Sequence, residues 1–237
     1  MNKKIKIIAL LTGKGGSGLK NKNIIMIKKI PLCGYPCKEA KKIKLIDEFY
    51  ASSEDKKILN VTKKYGFKTI LRPKTLSKKN SLHRDVLMHA INHFKKKKIY
   101  PEIIVVLLAN SATIKAKWIA DCLKKLMRSK QSTACVPVIN NNDHHPFRAK
   151  KINNNGYLNS FFKFTKKISS NRQGLPDNFF LAHNFWCIKT ESILTNKGQA
   201  PWNFLGKNVI PYKIKSSIDI HEKDDVLLTN NWLNKNG

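Results

Sequence analysis

The sequence predicts an α/β fold with a Rossmann-like, three-layer, mostly parallel sheet. The chain opens with an apolar run at residues 5–11 that stops at Thr12-Gly13, and a second apolar run occupies residues 103–108. Short apolar runs bounded by turn residues are typical of strands buried on both faces of a parallel sheet. Segments with helical apolar spacing alternate with these strands. That alternation predicts helices on both faces of the sheet and ligands at the carboxyl ends of its strands.

The remaining elements each have a signal of their own. The cluster 52–55 supplies an N-cap and first-turn acids to a helix whose apolar face begins at Ile58, and Gly66 is placed to end that helix. The strands are expected at residues 5–11, 45–51, 67–71, 103–108, 132–138, 181–188 and 208–212. The helices are expected at residues 35–42, 58–65, 85–94, 115–127 and 224–233.

The middle of the chain has a different character. Residues 140–159 are rich in asparagine and lysine, which predicts a hairpin or excursion outside the core. Phe161, Phe162 and Phe164 follow, and a lone loop could not bury them. We therefore expect one domain over residues 1–237, with residues 140–170 as an excursion used for dimerisation. Packing of the three rings under a long loop is the alternative.

Composition limits the partners that we expect. The formal charge of +31 invites a nucleic-acid-binding hypothesis, but nearly all of the excess is lysine, and isoleucine and asparagine are abundant as well. A/T-rich codons encode this trio, so base bias explains the charge and no nucleic acid is expected as the main partner. No apolar run is long enough to cross a bilayer, and the five cysteines are scattered. We expect a cytoplasmic protein with reduced thiols and no membrane partner.

A glycine-rich loop follows the first strand and carries the first chemical signal. Its glycines, Gly13, Gly15, Gly16 and Gly18, let the backbone approach a ligand and turn its amides toward one point. Lys14, Lys20 and Lys22, with Ser17 and Asn23 between them, surround that point with cations and polar groups. The loop predicts a phosphate cradle, and a solvated turn is the alternative.

Two nucleotide-binding patterns fit this loop incompletely. Residues 13–18 satisfy G-x-G-x-x-G, but that fingerprint also needs a helix opening at its last glycine. Residues 19–23 are a poor helix start, and Pro31 interrupts the segment that follows. The Walker pattern fails because Leu19 stands where its lysine belongs. A nicotinamide-dependent oxidoreductase stays open as an alternative on this pattern alone.

Several blocks in order resemble the acylneuraminate cytidylyltransferases, the CMP-sialic acid synthetases and their relatives acting on related acidic sugars. The opening loop at 13–23 is similar to the family's A-R-G-G-S-K-G-L-P-x-K-N, and Arg72-Pro73 after Tyr65-Gly66 is similar to its Y-G-x…R-P. Residues 85–90 resemble its D-V-x-x-H-A helix. Further similar blocks are 52–55, 144–147, 171–173 and a closing S-x-D-I-D-x-x-x-D motif at 217–225.

The resemblance implies a nucleotidyltransferase fold and reaction: CMP passes from CTP to a small acidic sugar, pyrophosphate leaves, and the product serves surface-glycan or lipopolysaccharide synthesis. It implies Mg²⁺ as cofactor and a homodimer. It places the catalytic roles on Lys14, Lys22 and Asp219. The nucleotide-binding positions it implies are Gly13, Gly15, Gly16, Ser17, Lys20, Asn23 and Arg72. Arg172 and Gln173 would face the sugar, and Asp219 and His221 would hold the metal.

Departures from the family pattern refine these expectations. Lys14 replaces an arginine, the lysine between Ser17 and Gly18 is missing, and His221 replaces the second aspartate of D-I-D. The glutamine that meets sialic acid in the family is absent from residues 109–115. We therefore expect a sugar acid other than sialic acid. Another base or sugar specificity, a catalytically impaired homologue and a basic nucleic-acid-binding protein are the remaining alternatives.

Overall fold

The computed structural model describes residues 5–16, 19, 21–165 and 167–236. The strands are β1 Ile7–Thr12, β2 Met26–Ile27, β3 Ile30–Pro31, β4 Glu48–Ser53, β5 Lys68–Leu71, β6 Ile103–Leu108, β7 Ala134–Asn140, β8 Lys150–Ile152, β9 Leu158–Ser160, β10 Phe179–Leu181, β11 Phe185–Lys189 and β12 Val209–Lys213. The α-helices are α1 Gly34–Lys41, α2 Lys56–Lys64, α3 His83–Lys96, α4 Ala116–Arg128, α5 Thr190–Thr195 and α6 Lys223–Asn236.

The main sheet formed by the described residues has eight strands and is mostly parallel. Its hydrogen-bonded path runs β10-β7-β11-β6-β1-β4-β5, and β12 pairs with β7. Only β10 and β11 run antiparallel to their neighbours. Because β7 and β6 are both antiparallel to β11, the carboxyl ends of β1, β4, β5, β6, β7 and β12 lie at one edge of the sheet. This edge is called the carboxyl edge below.

Alternating side chains of β1 build the core on both faces of the sheet, as the apolar run predicted. Ile7, Ala9 and Leu11 pack in the cluster that includes residues of α1, α2 and α4. Ile8 and Leu10 pack in the cluster that includes residues of α3 and α5. The three layers expected for a Rossmann-like fold are therefore confirmed.

Two expected strands lie elsewhere than the sequence suggested. The second strand was expected at 45–51, but β4 begins at Glu48 because Asp47 instead accepts a hydrogen bond from the amide of Ile7 (2.8 Å). The return strand expected at 181–188 is divided into β10 and β11. Asn184, fully buried between them, turns its side chain to the carbonyl of Thr113 and the amide of Phe185.

The expected excursion is a hairpin. β8 and β9 pair with each other, apart from the main sheet, within residues 140–170. Phe161 and Phe162 follow the hairpin, contact each other and are 55% and 44% exposed, so each keeps a substantial exposed surface. Phe164 contacts Phe147 at 5.3 Å between ring centroids. Packing under a loop therefore accounts for Phe164, while the first two rings stay open for an interface.

Candidate active site

The glycine-rich loop lies at the carboxyl edge beside the end of β6. Thr12 pairs with Leu108, and the amide of Ala109 donates to the carbonyl of Thr12 (3.1 Å). A Cβ atom on Gly13 would lie 2.9 Å from the Cβ of Ala109, so only glycine fits where the loop leaves the sheet. The loop and the segment after β6 therefore start side by side.

A buried ion pair braces this loop. The Arg72 guanidinium is 3% exposed and donates to a carboxylate oxygen of Glu54 (2.8 Å) and to the carbonyl of Gly13 (2.8 Å). The other carboxylate oxygen of Glu54 accepts the amide of Gly15 (2.7 Å). Although burial by itself raises the pKa of Glu54, hydrogen bonds from Ser77 and the Arg72 charge bring that pKa below its usual value. Arg72 and Glu54 thus fix the loop between them.

This bracing corrects one detail of the sequence analysis. The loop amides were expected to converge on a phosphate, but the amide of Gly15 is taken by Glu54. A carboxylate was not foreseen there, because residues 52–55 were interpreted as helix-capping residues. Only Asp55 caps α2, accepting the amide of Lys57 (2.7 Å). Contact of Arg72 with the base or ribose stays a prediction.

Lys14 is a cation of the loop whose surroundings the structure describes. Lys14 is half-buried and donates its ammonium to the carbonyl of Lys78 (3.2 Å), in a pocket that also contains Thr12 and Lys79. The amide nitrogen of Asn23 holds the carbonyl of Lys14 (2.7 Å), while its buried oxygen has no partner. One N–H of this amide is therefore engaged, and a phosphate contact through the Asn23 side chain has to use the second N–H, because the amide oxygen only accepts.

The structure describes some of the other loop residues that were expected to bind the nucleotide. Gly16 is exposed. Ser17 and Lys20 lie outside the described residues, so their predicted phosphate contacts stay predictions. Lys22 is half-buried in a short 3₁₀ turn, Lys22–Ile24. A β2–β3 hairpin follows, where the dinucleotide fingerprint requires a helix. The loop therefore lacks the context that the oxidoreductase interpretation needs.

Asp219 lies at the same edge, over the end of β6. Its carboxylate contacts the side-chain amide of Asn110, and the amide of Ile220 donates to the carbonyl of Asn110 (3.0 Å). Two imidazoles approach the same carboxylate oxygen, His221 at 3.0 Å and His183 at 3.7 Å. Since Asn110 follows the strand next to β1, Asp219 lies on the loop's side of the molecule.

Asp225 caps the backbone that follows Asp219 in the closing motif. Its carboxylate accepts the amides of His221 (2.7 Å) and Glu222 (2.9 Å), and these bonds, with a smaller contribution from the Lys22 charge, lower its pKa. For Asp225, therefore, the structure shows a local backbone cap.

An aromatic wall adjoins Thr12, and sequence reasoning missed the part of His83 and His183 in it. His83 lies 3.1 Å from the hydroxyl of Thr12, and its ring contacts Trp186. Trp186 also contacts the ring of His183, which in turn contacts Trp202. Burial, helped by the charge of Arg72, lowers the pKa of His83 to about 4 and keeps this imidazole neutral. A histidine near a serine after Arg72-Pro73 was visible in the sequence, but only the fold brings it to Thr12.

The two residues expected to face the sugar line another part of the carboxyl edge. Arg172 and Gln173 share a pocket with residues 140–143 beyond the end of β7. Arg172 pairs with Asp143 (3.2 Å), and both side chains are more than half exposed. This pocket and the pocket of Lys14 share no lining residue that the structure describes. Contact of one substrate with both Arg172 and Lys14 therefore stays a prediction.

The side chains near Asp219 limit which metal ion could bind there. Among the described residues no three His, Cys, Asp or Glu side chains are grouped to hold a metal ion. Mg²⁺, however, is commonly held by one or two carboxylates, with waters and substrate phosphates completing its shell. Asp219 meets that requirement alone. The imidazole of His221 is a nitrogen donor, which Mg²⁺ disfavours, and it lies within hydrogen-bond distance of Asp219.

Comparisons with known proteins agree with this geometry. An α/β sheet with a glycine-rich loop and an acidic residue at its carboxyl edge is typical of nucleotide-binding folds. The cytidylyltransferase family matches residues 14–168, and the chain belongs to that family.

Three curated relatives match parts of the chain. The pseudaminic acid cytidylyltransferase and UDP-2,4-diacetamido-2,4,6-trideoxy-beta-L-altropyranose hydrolase of Helicobacter pylori is 26% identical over 63% of this chain and 29% of its own length. The CMP-N,N'-diacetyllegionaminic acid synthase of Campylobacter jejuni is 30% identical over 38% of this chain and 41% of its own. The N-acylneuraminate cytidylyltransferase of Escherichia coli is 27% identical over 37% and 21%. The chain thus spans less than half of the length of each of these relatives.

Solved structures confirm the fold. A CMP:2-keto-3-deoxy-manno-octonic acid synthetase complexed with CTP superposes with a TM-score of 0.70 at 12% identity, over 97% of this chain and 99% of that chain. A 4-diphosphocytidyl-2C-methyl-D-erythritol synthase of Anaerococcus prevotii superposes with a TM-score of 0.65 at 14% identity, over 98% and 100%. Within the part of the chain that is described, no helix combines the length and apolar character needed to span a bilayer.

Proposed function

We propose that this protein transfers CMP from CTP to an acidic sugar of the nonulosonic or related class and releases pyrophosphate. The observation that carries the proposal is the meeting of two segments at one edge of the sheet. The loop of Lys14 and Lys22 leaves β1, while Asp219 is tied to Asn110 beyond the adjacent β6. The names of the relatives that act on pseudaminic, legionaminic and neuraminic acids support the substrate class.

The reaction asks the protein to position its reactants and to neutralise charge. A sugar hydroxyl forms a bond to the α-phosphorus, the bond from that phosphorus to the bridging oxygen breaks, and the hydroxyl proton passes to solvent. Negative charge builds on the departing pyrophosphate. Lys14 and Lys22 supply fixed cations to that charge, and Arg72 with Glu54 holds the loop that carries Lys14 in place. Asp219 would hold the proposed Mg²⁺, which would supply divalent positive charge against the charge that develops on the pyrophosphate.

The cellular setting and the assembly are proposed with the reaction. All five cysteines are unpaired and buried, which supports a reducing, cytoplasmic location. A CMP-activated sugar acid is a donor for surface-glycan or lipopolysaccharide synthesis. The exposed rings of Phe161 and Phe162 beyond the β8–β9 hairpin support a homodimer. Arg172 is proposed to grip the sugar carboxylate after exchanging its weak pairing with Asp143.

Pyrophosphate release tests this function. We expect release with CTP, Mg²⁺ and at least one member of a panel of sugar acids, and preferential thermal stabilisation by CTP over UTP, ATP and GTP. Asp219→Asn should lower turnover by about 100-fold or more, because the variant loses the charge that holds the metal. Asp224→Asn, an exposed carboxylate in the first turn of α6, is the matched control.

Three outcomes would contradict parts of the proposal. Failure to bind any nucleoside triphosphate would contradict all of it. Binding of CTP without turnover on any acceptor would indicate the catalytically impaired homologue. Equal turnover in Asp219→Asn and Asp224→Asn would remove Asp219 from the mechanism.

A further inference from the structure

A second concave site lies beside α6. It is a groove of about 750 Å³ between α6, the first turn of α4 and the segment that leads to Asp219. Its volume lies within the roughly 300–1,000 Å³ of small-molecule pockets. We call it the indole groove, and the residues that define it are Lys115, Trp118, Lys215, Leu228, Trp232 and Lys235.

The charge of the indole groove has one sign. Lys115 gives its ammonium to the neutral side chain of Asn236 (3.0 Å). Lys215 and Lys235 make no ion pair with any residue that the structure describes, and no described Asp or Glu lines the groove. Several ammonium groups without a carboxylate favour an anionic ligand. The same charge disfavours a second copy of this chain, whose formal charge is +31.

Two indoles give the groove a place for a planar group. Trp118 and Trp232 meet edge to face, 6.1 Å between ring centroids, and both are half-buried. The ammonium of Lys115 lies over both rings, at 5.8 Å and 5.4 Å from their centroids. Stacking on an aromatic ring beside fixed cations is a common way for proteins to bind a nucleobase with its phosphate. Lipid headgroups offer phosphate without a planar partner for these rings.

The groove also touches the segment that positions Asp219. Ile218 lies in the groove, and its amide donates to the hydroxyl of Thr113 (2.8 Å) while its carbonyl accepts from Ser111 (2.8 Å). Asp219 is the next residue in the chain. A ligand packed against Ile218 would therefore lie one residue away from the carboxylate at the candidate active site.

We propose that the indole groove binds a nucleoside phosphate as a regulatory ligand, separate from the nucleotide at the glycine-rich loop. The base packs against the indoles, and the phosphate is held by Lys215 and Lys235. Occupancy shifts the position of Asp219 through Ile218. This site does not depend on the proposed function, because the two indoles and the two lysines that would bind the ligand are outside the loop and the closing motif.

Equilibrium dialysis with labelled CMP tests the groove. We expect two CMP molecules per wild-type chain, and one in Lys215→Gln/Lys235→Gln, with the groove affinity reduced by at least about tenfold. Lys44→Gln/Lys207→Gln is the matched control, because both lysines are exposed and lie outside the groove and outside the closing motif. The control should keep both molecules. All four positions are surface lysines, so folding should be retained in both variants.

Each outcome of this experiment decides the proposal. If the glycine-rich loop does not bind CMP, the wild type binds one molecule and the groove variant none, which supports the groove while the proposed function fails. Equal stoichiometry in the wild type and the groove variant overturns the proposal. Two further binding assays use phosphatidylglycerol vesicles and a single-stranded oligonucleotide. If the groove variant loses binding to either one while its CMP stoichiometry is unchanged, the proposal is also overturned. The groove would then serve a membrane or a nucleic acid.

Discussion

Arg72 and Glu54 form the ion pair that determines the shape of the glycine-rich loop. The pair is nearly inaccessible, with side chains 3% and 11% exposed, and it also holds the carbonyl of Gly13 and the amide of Gly15. Removing one partner of a buried pair leaves the other charge uncompensated, which costs more than losing both. We therefore expect this ion pair to contribute to the free energy of folding as well as to hold the glycine-rich loop in position.

A double-mutant cycle measures this coupling. We expect Arg72→Gln to lower the free energy of unfolding by about 3 kcal/mol and Glu54→Gln by about 2 kcal/mol. The double variant should lose less than the sum, with a coupling of about 1–3 kcal/mol in urea denaturation. Additive losses would mean that the two side chains do not depend on each other and that the bracing of the loop has another source.

His83 gives stability a pH dependence of its own. Burial lowers its pKa to about 4 from an ordinary value near 6.5, so the unfolded chain binds a proton that the folded chain refuses. The contribution of His83 is complete above about pH 6.5 and is lost as the pH falls toward 4. For a half-buried ring we expect a loss of about 2 kcal/mol over that interval.

Thermal unfolding of His83→Gln against the wild type checks this dependence. Between pH 7 and pH 5 the carboxylates keep their charge, and the other histidines are common to both proteins. The wild type should lose more stability than the variant as the pH falls through this window. Parallel pH profiles would show that His83 titrates equally in the folded and unfolded states.

At the scale of elements, α2 shows how local sequence signals determine both ends of a helix. Asp55 caps its first turn, and Gly66 ends it with a φ of 76°, a left-handed conformation in which a side chain is strained. A Cβ atom at Gly66 would lie 3.4 Å from the end of the flexible Lys41 side chain, so space does not limit it. Backbone conformation is the reason for this glycine.

Gly66→Ala should therefore lower the free energy of unfolding by about 1 kcal/mol. Asn60→Ala, at an exposed position inside α2, is the matched control and should be neutral or slightly stabilising. Chemical denaturation of the two variants provides the measurement. An unchanged stability in Gly66→Ala would indicate that the end of α2 relaxes without cost.

At the scale of the whole molecule, the rings that follow the β8–β9 hairpin form an exposed aromatic surface. Phe161 and Phe162 are exposed next to β9, while most large apolar side chains of the described sheet are buried on its two faces. Exposed aromatic clusters of this kind mark interaction surfaces. The proposed homodimer places them between two copies.

Light scattering tests the dimer. The wild type should have twice the mass of one chain, and Phe161→Ser/Phe162→Ser should have the mass of a monomer. Tyr100→Ser, which removes an exposed ring at the opposite edge of the sheet, is the control and should stay dimeric. A monomeric wild type would contradict the dimer and leave the role of the hairpin open.

The sequence by itself determined the layered fold, the position of most elements and the family resemblance. Local information suffices there: residues 103–108 are apolar throughout and form β6 with those bounds, and Gly66 ends its helix where expected. Such signals are set by burial and backbone conformation within a few residues.

Only the tertiary structure decided how the site is assembled. Glu54, Asn110, His83 and His183 are distant in sequence from the groups that they contact, and their types do not reveal those partners. Strand order brings the ends of β1 and β6 together, and the closing segment adds Asp219 beside Asn110. Because these contacts join residues up to 109 positions apart, no local pattern in the chain could specify them.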